Sequence, residues 1–389
     1  MTNTIETLPT PSVVIYEDVV KRNCKLMHDR AISLGVDIRP HMKTHKTIEI
    51  GKFQTETINI KKIIVSTLSE ARFFALSGQF KDILYTVPIV PTKLAAAAHI
   101  HSSIDVLHLM VDHPDHIKAM VEYRNQHLGA LGNKKWSVFL KIDCGYHRAG
   151  ADPELPSTIK LVEQLTKSLS DHFVFQGIYT HSGHSYKQTS PDGIAKIATS
   201  EATVAGNFAK KIRSLGYPCP IVSIGSTPVC CHLPNNLKDL GVTEIHPGNY
   251  VFYDLMQVEL GNCKVDDVGV HVVSRVISVY PERNEMLVDA GSLALSSDPG
   301  CTHLPDRAPG FGIIVGDNNL RIVGVTQEIG KVSSVNGSPI DFNKYTIGSI
   351  VRIVPNHSCL TAAMFSNFNV LSTESTTQVK ETWIPNKHW

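Results

Sequence analysis

Two textures of hydrophobic and polar positions divide the chain. From about residue 17 to 255, amphipathic stretches alternate with short, continuous apolar runs. A continuous run leaves no face for water, so these runs predict strands buried on both faces, as in a parallel sheet. Eight can be counted, at 36–42, 62–67, 82–88, 106–112, 137–143, 174–181, 221–226 and 243–251. Helical periodicity fills the gaps at 16–34, 69–76, 115–126, 156–169 and 194–215. Eight β/α units of this length predict a TIM (β/α)8 barrel. After Gln257 the texture changes to strand-like stretches at 271–279, 285–289, 313–315, 320–327 and 349–354. Turns are expected at Asp317-Asn318-Asn319 and Asn336-Gly337-Ser338. The expected organisation is a barrel over 17–256 and a C-terminal all-β domain over 257–389, joined by an N-terminal strand within 1–16.

Composition narrows the partners. A net charge of +1 over 389 residues, with no basic run, points to neither nucleic acid nor an anionic membrane. No stretch approaches the ~20 apolar residues of a membrane helix. The first ten residues lack the apolar core of a signal peptide. Eight cysteines form no CxxC pair and no disulfide framework. A reducing, cytoplasmic setting is the expectation.

Candidate chemistry appears where a barrel keeps its active site, at the C-terminal ends of the strands. The first strand ends in Arg39-Pro40-His41-Met42-Lys43-Thr44 and the fifth in Asp143-Cys144-Gly145-Tyr146-His147-Arg148. The sixth ends in a run from Tyr179 to Tyr186, the seventh in Gly225-Ser226-Thr227-Pro228, the eighth in His246-Pro247-Gly248-Asn249. Small and hydroxylated residues after strands seven and eight suit a phosphate. A lysine on strand one would face it across the barrel mouth, as a phosphorylated aldehyde cofactor bound through an imine requires. Taken singly, Lys43 reads as a solvated charge and Gly-Ser-Thr-Pro as a turn. A further pair, His357 and Cys359, would share one face of an extended segment. Imidazole and thiolate suit zinc, although spacing alone favours a buried cysteine beside a capped histidine.

These motifs resemble the fold-type III pyridoxal-phosphate enzymes, the alanine-racemase-like barrels. Within them the chain is similar to the D-serine dehydratase, D-threonine aldolase and D-threo-3-hydroxyaspartate dehydratase group, nearest to the D-serine dehydratases. The resemblance runs from Thr10-Pro11 to Trp389. It rests on Arg39-Pro40-His41-x-Lys43-Thr44, Val65-Ser66-Thr67-Leu68-x-Glu70-Ala71, Asp82-Ile83-Leu84-Tyr85, Gly225-Ser226-Thr227-Pro228 and Pro355-Asn356-His357-x-Cys359. It implies pyridoxal 5'-phosphate on Lys43, with Arg148 near the ring and Tyr179 and Tyr186 contacting the cofactor. It implies a phosphate cradle of Gly225, Ser226, Thr227, Gly248 and Asn249. It implies zinc (Zn2+) on His357 and Cys359, reversing the reading from spacing, and a head-to-tail homodimer. At Gln327-Glu328-Ile329-Gly330 the chain departs from a Glu-His-Gly element of the relatives, which leaves substrate choice open.

The expected activity is therefore dehydration of a small-molecule D-3-hydroxy amino acid, D-serine first, to a keto acid and ammonia. Lys43 takes the α-proton and zinc assists loss of the hydroxyl. The nearest rival is a metal-dependent aldolase acting on D-threonine or 3-hydroxyaspartate. A racemase would leave the metal pair idle. Two other classes stay open: a non-catalytic pyridoxal-phosphate carrier, and a zinc hydrolase recruiting His41, His181 and His246.

Overall fold

The computed structural model describes residues 4–56, 61–371, 375–387 and 389. By chain contacts these gather into two compact units, one of residues 25–43, 51–248 and 388–389, the other of 1–24, 44–50 and 249–387. The expected N-terminal strand is Ser12–Tyr16 (β1); residues 1–3 of that segment lie outside the described residues.

The first unit holds the eight expected parallel strands. They are Asp37–Ile38 (β2), Lys62–Val65 (β3), Asp82–Pro88 (β4), Val106–Val111 (β5), Trp136–Lys141 (β6), Phe173–Tyr179 (β7), Ile221–Ile224 (β8) and Glu244–Ile245 (β9). Their order is β2-β9-β8-β7-β6-β5-β4-β3. A parallel bridge between His41 and Ile64, with Ile64 N–H donating to Pro40 O at 2.9 Å, closes the ends into a barrel. β2 and β9 are shorter than the apolar runs predicted. Pro40 and Pro247 have no N–H to give a ladder, and the chain then tightens into 3-10 turns at Met42–Thr44 and Asn249–Val251.

The barrel interior is packed, with Ile64, Leu84, Met110, Phe139 and Tyr179 forming one cluster. Burial of such side chains stabilises by about 1.5–3 kcal/mol each. Beside this apolar cluster lies a polar one. Arg39, 1 % exposed, donates from Nε to both oxygens of Glu244 and from Nη1 to Asp82. His108 Nε2 meets the same Asp82 at 3.0 Å, and its Nδ1 meets Ser137 at 2.7 Å. Two motifs quoted above, Arg39-Pro40 and Asp82-Ile83, thus meet in one ion pair, in which Arg39 is buried and Asp82 partly exposed.

The second unit is antiparallel except where β1 joins it. Its strands are Val270–Tyr280 (β10), Glu285–Val288 (β11), Gly312–Ile314 (β12), Asp317–Val325 (β13), Gly330–Ser334 (β14), Ile350–Pro355 (β15), Phe368–Leu371 (β16) and Val379–Trp383 (β17). The long β10 pairs with β15 through its first half and with β11 through its second, which closes β10-β11-β14-β13-β12-β15 upon itself. β1 lies between β10 and β16. Three strands, β14, β16 and β17, have no counterpart in the pattern reading. The turn expected at Asp317-Asn318-Asn319 is instead the start of β13. The chain reverses one step earlier at Gly316, whose φ of +82° suits glycine, and the polar side chains of Asn318 and Asn319 stand exposed along the strand. Among the described residues no helix is long and apolar enough to cross a membrane.

Candidate active site

The first unit gathers its reactive groups where the strands end. Lys43 lies exposed in the turn Met42–Thr44, and its backbone N–H donates to His41 Nδ1 at 3.3 Å. Arg148 is exposed, with its guanidinium 5.1 Å from the centre of the Tyr146 ring. Tyr179, the last residue of β7, is buried and stacks on His246 with ring centres 4.0 Å apart. Burial holds its phenol protonated, pushing its pKa above the ordinary value. Tyr186 lies half-buried in the short helix Gly183–Lys187.

The loops after β7, β8 and β9 meet through small side chains. Ser226 Oγ lies 2.9 Å from Ser185 Oγ, and Gly248 N–H donates to Thr227 Oγ1 at 3.3 Å. All four residues are buried. A side chain at Gly248 would put its Cβ 3.0 Å from that of His41, so glycine is required there by space. Gly225 is required by conformation, at φ +138°, and by the Cys230 sulfur 2.9 Å from where a Cβ would sit. Its N–H is engaged, donating to Glu201 Oε1 at 3.1 Å. Its carbonyl lies 2.9 Å from His181 Nδ1. The neutral hydroxyls of this nook, lined without bulk, fit the phosphate of a pyridoxal cofactor.

Charge tunes this mouth. Desolvation, with Lys43 and Lys141 (and for His181 also Arg148) adding positive charge, holds the imidazoles of buried His246 and half-buried His181 well below their ordinary pKa. That of His246 falls to about 3. Lys141, at the end of β6, was missed by the motif reading. It is 6 % exposed, with Nζ 5.6 Å from the Tyr179 ring centre. Burial first, then Arg148 and Lys43, lower its pKa to about 8. Its signal in the sequence is a lone charge closing an otherwise apolar strand. Among the described residues no group of three or more His, Cys, Asp or Glu assembles to hold a metal, so His41, His181 and His246 do not form a hydrolase-type centre.

The second unit carries the other candidates. His357 and Cys359 do not lie on an extended segment, as their spacing suggested. β15 ends at Pro355, His357 is the N-cap residue, and Cys359 falls in the first turn of helix Ser358–Met364. The pair still converges, because the cap residue keeps extended dihedrals and its ring turns back over the first turn; its side chain hydrogen-bonds Cys359. His357 Nδ1 meets Asp298 Oδ2 at 2.7 Å, which orients the ring and leaves Nε2 as its ligand atom. Burial disfavours the imidazolium here, but Asp298 and Cys359 outweigh it and raise the pKa. Thr44, the residue after Lys43, has Oγ1 3.2 Å from Cys359 Sγ. One imidazole nitrogen and one thiol, with a carboxylate behind the ring, make a donor set that fits zinc and leaves its other positions open.

Asn249 also falls in this unit. Its Nδ2 donates to Asp254 at 2.9 Å and Ser358 Oγ at 2.8 Å, and lies 3.6 Å from Cys359 Sγ. Its side chain thus supports the helix of His357 and Cys359, and only its main chain is left for a phosphate. Asn356 explains the rest of that motif: it fastens the loop that carries Asp298, donating to Asp298 O at 2.9 Å and Gly310 O at 2.7 Å. Asp298, 59 residues before His357, has no sequence signal beyond its place in a Pro-Gly loop.

Known proteins are similar to this chain along its whole length. Residues 15–255 match the alanine racemase N-terminal domain family, and residues 269–371 the serine dehydratase domain family. The chain is 58% identical to a D-serine dehydratase of Dictyostelium discoideum, over 99% of this chain and 98% of that one. It is 32% identical to the D-threo-3-hydroxyaspartate dehydratase of Delftia sp. (strain HT23), over 98% and 99%. The solved structure of that dehydratase superposes with a TM-score of 0.90 at 30% identity, over 100% of both chains. A cysteine-to-alanine mutant of a D-threo-3-hydroxyaspartate dehydratase, described as a metal-free form, superposes with a TM-score of 0.91 at 30% identity, over 100% of both chains. The chain is an enzyme of the dehydratase type and belongs to the serine dehydratase branch of the alanine-racemase-like, fold-type III pyridoxal-phosphate lyases.

Proposed function

We propose that this enzyme is a zinc-dependent D-serine dehydratase, converting D-serine to pyruvate and ammonia. The observation that carries the reading is the 58% identity to the Dictyostelium D-serine dehydratase across nearly the whole of both chains. Lys43 would carry pyridoxal phosphate. The nook of Ser226, Thr227 and Gly248, closed by Gly225 and the main chain of Asn249, would take its phosphate. Arg148, Tyr179 and Tyr186 would border the ring. When bound, the cofactor withdraws electrons from the substrate's α-carbon and so acidifies its proton. The Lys43 amine then takes that proton at Nζ. Tyr179 stays a neutral phenol, so it would offer the ring a hydrogen-bonding group rather than a carboxylate. His357 and Cys359 would hold zinc, whose chemistry at this point is Lewis-acid polarisation of the substrate's hydroxyl oxygen. Across the whole reaction the substrate loses water, and hydrolysis of the resulting enamine and imine releases ammonia.

The test is a product assay on purified enzyme over D-serine, D-threonine and D-threo-3-hydroxyaspartate, with and without added zinc after chelation. Pyruvate from D-serine, lost on chelation and restored by zinc, is the expected result. Glycine plus an aldehyde as products would replace this reading with the aldolase. Faster turnover of 3-hydroxyaspartate would move the substrate to the one acted on by the Delftia relative. We further propose a head-to-tail homodimer in the cytoplasm, with domains at 17–256 and 257–389 and residues 1–16 joining the second; light scattering and limited proteolysis test the assembly and the boundary.

A further inference from the structure

Helix Pro191–Ser214 sends one carboxyl group into the interior, Glu201, only 1 % exposed. Its Oε1 accepts from Thr180 Oγ1 at 2.6 Å and from Gly225 N–H at 3.1 Å. Thr180 is the residue after β7 and Gly225 the residue after β8. One oxygen therefore ties together the first residues of two loops. Those loops supply Ser185 and Ser226, whose hydroxyls meet at 2.9 Å a few residues further on. The other oxygen, Oε2, is shielded from solvent, and the Ser182 hydroxyl also bonds this carboxyl.

Burial favours the protonated form of this carboxyl over the bonds from Ser182, Thr180 and Gly225 that oppose it. A neutral group is also what a neighbouring phosphate dianion tolerates. Glycine at 225 allows the arrangement, because its positive φ turns the N–H toward Glu201 while the Cys230 sulfur fills the space where a Cβ would stand.

We propose that Glu201 is a positioning residue for the cofactor's phosphate: by locking the ends of β7 and β8 together it fixes the Ser185–Ser226–Thr227 nook, and it thereby makes the enzyme select the phosphorylated cofactor over free pyridoxal. The inference rests on reading that nook as the phosphate cradle. Glu201 touches neither substrate nor reacting atoms and acts through the loops it ties.

The experiment is a titration of apoenzyme with pyridoxal phosphate and, separately, with pyridoxal, followed by absorbance, with inorganic phosphate as a competitor. Wild type, E201Q, E201A and T180V are compared. In E201A the affinity for pyridoxal phosphate is expected to fall roughly 10- to 100-fold, from loss of two buried hydrogen bonds. Competition by inorganic phosphate should weaken in parallel, while pyridoxal affinity changes less than about threefold. E201Q keeps an acceptor at Oε1 without charge, so it should retain phosphate selectivity. T180V, which removes one donor and leaves the carboxyl, should show a smaller selective loss even if E201A folds poorly. An equal fall for both ligands in E201A and T180V would make Glu201 merely structural and overturn the proposal, as would unchanged selectivity in both. Wild-type apoenzyme that prefers neither ligand, and on which inorganic phosphate does not compete, would instead overturn the cradle reading beneath it.

Discussion

The histidines of the two candidate sites meet opposite surroundings. In the parallel barrel, His181 and His246 face carbonyls, hydroxyls and one another's rings, with Lys43 and Lys141 supplying positive charge. Desolvation and the positive charge outweigh the carbonyl contacts and keep both imidazoles neutral. In the β unit, His357 has a carboxylate on one nitrogen and a thiol by the other. The same side chain is neutral among hydroxyls and carbonyls in one place and held by a carboxylate in the other. The difference comes from one acidic loop residue, Asp298, and from the cap position that turns the ring back toward Cys359. On the proposed reading the two units would divide the chemistry, the barrel holding the cofactor and its phosphate, the β unit the zinc.

The largest expected effect separates the two. Replacing Lys43 with alanine should reduce turnover to background and abolish cofactor absorbance near the visible edge, while bound zinc measured by elemental analysis stays at the wild-type level. Full activity in that variant would end the assignment of Lys43. The mirror experiment comes next. Cys359→Ala, or exhaustive chelation, should lower dehydration by on the order of 10²- to 10⁴-fold and leave the absorbance intact. Turnover surviving in a protein shown to be free of zinc would sink the division of labour. Asp298→Asn sharpens it further. The amide still reaches His357 but no longer carries charge, and zinc affinity should fall about 10- to 100-fold by competition with a chromogenic chelator. An unchanged affinity would mean the ring is oriented by the cap alone.

Smaller effects concern stability. His246 and His101 are buried, with burial named first for both, and have folded pKa values of about 3 and about 4, against an ordinary 6.5. Below pH 6.5 the unfolded chain takes up protons that the folded chain refuses, so stability falls as pH drops from 6.5 toward 4 and levels off below the folded values. The slope is at most about 1.4 kcal/mol per pH unit for each imidazole. Urea midpoints measured between pH 7 and 4 should therefore shift less in His101→Gln than in wild type; parallel curves would refute the assignment. The least effect is expected at Lys387. Its Nζ donates to Ala362 O at 2.9 Å and Ala363 O at 2.8 Å, at the end of the helix that bears Cys359. Lys387→Ala should cost about 0.5–1 kcal/mol in thermal or urea unfolding, with a zinc affinity lowered only slightly.

Much of this was legible in the chain. Eight buried runs gave eight parallel strands in place, because a strand covered on both faces must be apolar throughout. The antiparallel unit was read less well. Gly330–Ser334 and Val379–Trp383 carry exposed polar residues that break the apolar pattern marking a strand. The turn at Gly316 was displaced by the stronger-looking Asp-Asn-Asn. Motifs picked out the small residues at the strand ends but not the residues that support them. Lys141 and Glu201 stand out only once one knows that their positions are buried.

What the sequence determined by itself was the repeating order of buried strand and amphipathic helix, and the residues at the strand ends. Local hydrophobic period and short motifs suffice for that. Only the tertiary structure decided which of those residues meet. Arg39 finds Glu244 and Asp82, His357 finds Asp298, and Glu201 finds Gly225. Each pairing depends on distance in space between segments dozens to hundreds of residues apart, and on burial that makes an unpaired polar atom too costly to leave alone.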